Sequence, residues 1–201
     1  MAPVLTDPVL YRRQVTEAAL HAAHTMLVSK GWDKVRFGQI AEAISVSRPT
    51  LYAVFGNKEG LAEALVLRET DAFLAGVGEA LAAHETAPFE GVRAAVAFTL
   101  EEAGRNPVLH AILTSSRGGS ESLLPMLTTR SGPVLRAAST VLVEWFREHV
   151  PGLPPTDVEE GVDALVRLVV SHLVLPADDP AHTADRLARL AMRFLQDWDG
   201  A

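Results

Sequence analysis

The chain contains no cysteine. That excludes disulfide staples, thiolate nucleophiles and cysteine-ligated zinc, and it agrees with a reducing compartment. No uninterrupted apolar run reaches membrane length, and the opening stretch MAPVLTDPVLYRR lacks the apolar centre of a secretory signal. A cytoplasmic location with no membrane partner is therefore expected. No stretch alternates apolar and polar residues over strand length. Short catalytic patterns are missing as well: there is no phosphate loop ending in Gly-Lys-Ser/Thr, no G-x-S-x-G elbow and no H-E-x-x-H pair. The sequence thus points away from an enzyme and offers no cofactor or metal site. Glu17, His21 and His24 share a helical face, but three polar residues there read as a solvated surface rather than as ligands.

What is present suits a helical protein with a sizeable core. With 201 residues, 48% of them hydrophobic, the chain can fill one large domain or two small ones. The net charge of -7 is unevenly spread. Residues 1–60 hold seven Lys and Arg against five Asp and Glu, a net +2, and the rest hold eleven against twenty, a net -9. Such asymmetry suggests an end that meets a polyanion, carried on an acidic body.

The punctuation is helical throughout. Asp7-Pro8 and Asp179-Pro180 each pair an N-cap with proline at the first helical position, and Gly31 closes a first helix running to Lys30. That helix turns Ala19, Ala22, Ala23, Met26 and Leu27 to one face. Pro88, Asn106-Pro107 and Gly132-Pro133 start or break later helices, Gly118-Gly119-Ser120 separates two more, and Pro151 ends one near His149. Thr156 with Glu159 has the spacing of a capping box. An all-α fold is expected.

Residues 39–61, QIAEAISVSRPTLYAVFGNKEGL, carry the most specific pattern. Ile40, Ala41 and Ile44 recur at helical spacing, Val46 and Ser47 interrupt, and a second short helix sets Leu51 and Phe55 inward. Ser47 can cap that helix and Pro49 falls in its first turn; Gly56 can stop it, and Asn57 can cap the next. Arg48, Thr50 and Tyr52 are left pointing outward, where a helix-turn-helix presents residues to base edges. Lys58 opens the following helix, whose free amides and positive end suit a phosphate. From Leu61 through Leu65, Phe73, Val77 and Leu81 a helical pattern continues without a linker, and Gly76 and Gly78 are expected to weaken its far end.

Gly31-Trp32, Phe37, Gln39-Ile40-Ala41, Val46-Ser47-Arg48, Thr50-Leu51-Tyr52, Phe55 and Lys58-Glu59-Gly60-Leu61 together resemble, in order and spacing, the N-terminal domain of TetR-family transcriptional regulators. Arg36 stands where that family usually carries a Thr or Ser cap, which suggests a phosphate contact instead. Pro49 stands where it often carries Gly or a polar residue, which limits hydrogen bonding to bases there. The resemblance implies a three-helix DNA-binding domain over residues 8–57, with its motif at about 36–55, and an effector-binding and dimerisation domain over 58–201. The expected protein is a homodimeric, ligand-responsive repressor of a palindromic operator on double-stranded DNA. Its rival is a helical ligand carrier that reads no DNA, which would leave the outward set at 48–58 unused. Expected DNA contacts are Arg36, Gln39, Ser47, Arg48, Pro49, Thr50, Tyr52 and Lys58.

The family fold would wrap its later helices around an internal cavity. Phe89, Phe98, His110, Met126, Trp145 and Phe146 are candidate walls for an apolar or aromatic effector, with Arg105 or His110 as polar anchor. Val162, Leu165, Val169 and Leu173 lie on a helix that is apolar on most sides, and Leu187, Leu190 and Phe194 form a narrower stripe. These seven are the expected dimer face, in a four-helix interface.

Overall fold

The computed structural model describes residues 7–109, 132–176 and 178–196. Among them are eight α-helices with both ends described, one 3-10 turn, a further helical stretch at 107–109 and no strand: α1 (Pro8–Lys30), the turn Trp32–Lys34, α2 (Phe37–Ala43), α3 (Arg48–Phe55), α4 (Lys58–Ala82), α5 (Pro88–Arg105), α6 (Gly132–His149), α7 (Pro155–Val174) and α8 (Pro180–Gln196). Local chemistry sets most of these boundaries. Asp7 Oδ1 accepts from the Val9 amide at 2.8 Å, and Asp179 Oδ2 accepts from the amides of Ala181 and His182 at 3.1 and 3.2 Å. Asn106 Oδ1 likewise accepts from Val108 and Leu109 at 2.9 and 3.1 Å. Each carboxylate or amide oxygen satisfies amides that the first turn leaves without a helical partner.

The expected capping box at Thr156 does not form. The cap lies two residues earlier, at Pro154, which makes no side-chain bond, and the helix starts at Pro155. A proline holds its predecessor extended and is itself preset for the first helical turn, so the Pro154-Pro155 pair decides the start and leaves Thr156 inside it. Gly76 and Gly78 do not interrupt α4, which runs to Ala82. A Cβ on Gly76 would lie 2.4 Å from the Phe98 ring, so this glycine lets α5 approach closely.

Two hydrophobic cores result. In the first, Val15, Ala19, Leu20, Ala23 and Leu27 of α1 meet Trp32, Val35, Phe37, Ile40, Ala41 and Leu51, and the first turns of α4 close it with Leu61, Leu65 and Val66. Val108, far along the chain, is buried in the same core, and Leu109 and Val134 pack on its edge. The second core begins at Leu74 and gathers the inner faces of α5, α6, α7 and α8 around Leu81, Val92, Phe146, Val162 and Leu187. α5 lies at its centre, packed against α4, α7 and α8. One helix therefore belongs to both cores, and the change of core falls between Val66 and Leu74.

Candidate functional site

The two motif helices are held in place by short-range contacts. Ser47 Oγ accepts from the Thr50 amide at 3.2 Å and lies 2.8 Å from Thr50 Oγ1, so cap and hydroxyl form one small network at the start of α3. Gly56 ends α3 at φ 73°, in the region that glycine tolerates without strain. Asn57 Oδ1 then accepts from Gly60 at 2.8 Å to start α4. A Cβ at Gly60 would stand 2.1 Å from the Phe55 carbonyl oxygen, so the bare backbone is what allows the α3–α4 turn to close this tightly.

On the outer side, Arg48, Pro49 and Tyr52 are exposed and Thr50 is half-buried. The Tyr52 ring leans on Phe37 with centroids 4.8 Å apart, which fixes the direction of its hydroxyl. The Arg48 guanidinium lies directly over Gly38 in the first turn of α2, where any side chain would strike it. Lys58 Nζ sits 5.3 Å from the Trp32 ring centroid, a cation resting on a buried indole at the positive end of α4. Gln39 Oε1 accepts from Lys30 Nζ at 2.8 Å, so the donor of this side chain is its amide nitrogen. Arg36 Nη1 donates to the carbonyls of Asp33 and Val35 and makes no cap to α2. All eight expected contact residues thus lie on or beside α2, α3 and the start of α4. Sequence reasoning missed their supports: Trp32 under Lys58, Lys30 on Gln39, Gly38 under Arg48, and Arg12, whose Nη2 reaches the Val54 carbonyl at 3.5 Å.

Away from this face, a cavity of about 100 Å³ lies between α4, α5, α6 and α7. Its wall is almost wholly aliphatic, with Glu69, Thr70 and Thr99 as its polar members. The aromatic residues expected here do not line it. Trp145 and Phe146 are buried in the second core, edge to face at 5.3 Å. Phe98 packs on Phe73 and over Gly76, Phe89 lies on the same core, and Arg105 pairs with Glu101 on the surface. His110 and Met126 lie outside the described residues. The cavity is bounded mostly by valines, leucines and alanines, with Phe73 as the aromatic member of its described wall. The signal that could have found it is the polar pair Glu69-Thr70 breaking the apolar stripe of α4 between Val66 and Phe73.

The expected dimer face also needs redrawing. Val162, Leu165, Val169 and Leu187 are buried in the protomer's own second core, and Leu173 lines the cavity. Leu190 and Phe194 are exposed, at 51% and 37%. α7 is apolar on most sides because its own chain surrounds it, so that pattern does not require a twin.

Comparison with known proteins places this arrangement. Residues 19–65 match the family model for bacterial regulatory proteins of the tetR family, and residues 88–193 match the model for the bacterial tetracyclin repressor C-terminal domain. The HTH-type transcriptional regulator AlkX of Mycobacterium tuberculosis is 27% identical over 198 residues, spanning 98% of this chain and 93% of that protein. The crystal structure of the TetR-family repressor AlkX from Dietzia sp., implicated in biodegradation of n-alkanes, superposes with a TM-score of 0.73 at 27% identity, over 90% of this chain and 97% of that one. RolR in complex with resorcinol shares the fold, with a TM-score of 0.64 at 18% identity over 94% of both chains. The helix-turn-helix at the basic end, the helical body behind it and the two matched segments together show that the chain belongs to the TetR family of bacterial DNA-binding transcriptional regulators.

Proposed function

We propose that the protein is a homodimeric repressor, held on a palindromic operator in the cytoplasm and released by a small, largely apolar effector. Residues 8–57 read the DNA, and residues 58–201 bind the effector and the twin. Arg48, Pro49 and Thr50 meet base edges, the Gln39 amide adds a base or phosphate contact, and Tyr52, Lys58, Arg36 and the Ser47 end of α3 fix the register on phosphates. Leu190 and Phe194 of α8, rather than the buried valines of α7, give the twin its apolar contact.

One observation carries the reading. Val66, Leu109 and Val134 line the cavity and also pack in or against the core that holds α2 and α3. An effector that fills the cavity presses on the side chains that set the seat of the DNA-reading helices. Coupling on the order of 1 to 3 kcal/mol between the two sites changes DNA occupancy several-fold or more. The apolar wall also suits a role like that of the Dietzia relative, whose context is n-alkane breakdown.

The test is repeated selection of random duplex DNA on the purified protein at fixed salt. A two-fold palindrome is expected, with half-sites about one helical turn apart or a multiple of it. Failure to enrich any sequence contradicts the proposal. On the selected site, Lys58→Ala should weaken binding uniformly across sequences and lower the salt slope by about one. An unchanged slope removes Lys58 from the phosphate contacts.

A further inference from the structure

The cavity's polar groups are unusually one-sided. Thr70 Oγ1 donates its hydrogen to the Val66 carbonyl at 2.8 Å, and Thr99 Oγ1 donates to the Ala95 carbonyl at 2.8 Å. Each hydroxyl has one hydrogen and two lone pairs, so what remains of both is acceptor only. Glu69, whose side chain is 16% exposed, is the third polar member of the wall. Its Oε1 accepts from Arg68 Nη2 at 2.6 Å, and its Oε2 lies 4.0 Å from His24 Nε2 on α1, beyond hydrogen-bond reach. Neither Arg68 nor His24 belongs to the wall. Among the described residues, then, the wall offers a ligand acceptors and a carboxylate, but no side-chain donor.

That inventory decides the head group. A carboxylate or phosphate in this cavity would lose its hydration, find no side-chain donor among the described wall residues and face Glu69, a combination that disfavours entry. An alcohol or an amine brings the hydrogen that the wall lacks, and an ammonium would also pair with Glu69. We propose that the cavity selects an aliphatic molecule with a hydrogen-bond-donating, non-anionic head, and that Glu69 is the residue that reads it. The assignment rests on the reading of this cavity as the effector site. It also gives Glu69 a second part to play: the carboxylate that would turn toward the ligand's head is the one facing α1 through His24.

Three probes of equal chain length separate the alternatives: 1-octanol, octylamine and octanoate, titrated into the full chain with calorimetry as the readout. Octanol and octylamine should bind at least tenfold tighter than octanoate. Glu69→Gln keeps the size of the side chain but replaces one acceptor oxygen with a donating amide. It should weaken octylamine at least tenfold, spare octanol and strengthen octanoate. Ala138→Trp, which fills the cavity from α6, should abolish binding of all three. Octanoate binding as tightly as octanol, or a Glu69→Gln protein with unchanged preferences, overturns the ligand class while leaving the cavity as the binding site if Ala138→Trp still blocks it. Binding that Ala138→Trp does not touch, or no binding by any probe, overturns both. Release of selected DNA in the same samples reports separately: tight, Glu69-dependent binding without release keeps the ligand class and removes the effector role.

Discussion

Arg48→Ala is expected to cost about 1 to 3 kcal/mol of affinity for the selected operator, roughly tenfold to a hundredfold, and to relax preference at one base position. The reason lies in where the guanidinium rests. It lies over Gly38, against the first turn of α2, where the helix presents its positive end and a cation gains nothing. A guanine edge or a phosphate offers the same group two acceptors in a plane, so docking moves it from an indifferent place to a favourable one. Fluorescence anisotropy on the selected duplex and on a scrambled duplex, at one salt concentration, distinguishes the roles. A fall on the selected site alone marks base readout. An equal fall on both marks Arg48 as a phosphate contact and assigns readout to Thr50 and Pro49.

The larger stability effect should come from Phe146→Ala, at about 3 to 5 kcal/mol. Phe146 is 1% exposed in the second core, edge to face with Trp145, and the neighbouring helices are tied to too many partners to collapse into the space. For a domain of this size the loss corresponds to a fall in Tm on the order of 10 °C. Urea unfolding followed by circular dichroism measures it directly, and a loss below about 1 kcal/mol would show that the core relaxes around the gap. Because α4 is shared between the two cores, the variant should still unfold in one transition. Its remaining folded fraction should bind operator with unchanged Kd, since nothing on the DNA side touches this ring.

The helix-turn-helix was legible in the sequence because it is local. Its caps, stops and inward residues follow one another within residues 36–61, and Ser47, Gly56 and Asn57 each do in the structure what short-range chemistry requires of them. The cavity was not legible. Its wall is assembled from four helices, and a valine that borders empty space is the same residue as one that is packed on all sides. Trp145 and Phe146 misled for a physical reason: large rings are what fill a core. The dimer face misled in another way, since an all-round apolar helix such as α7 can be buried wholly within one chain. The start of α7 shows competition at short range, where a proline pair outweighed a capping box.

The tight joint at Gly60 has a consequence for scale. With the Phe55 carbonyl seated against bare backbone, the turn between α3 and α4 is closely packed, so a tilt of α4 would carry α3 with it like the short arm of a bent rod. The longer arm, 25 residues, extends for about 37 Å. A tilt of only about 5° about its far end sweeps the short arm through about 3 Å, nearly the rise of one base pair on the groove it would occupy. A small displacement of α4 beside the cavity would thus be enlarged at α3 by the length of the rod, whereas a softer residue pair at the joint would absorb it.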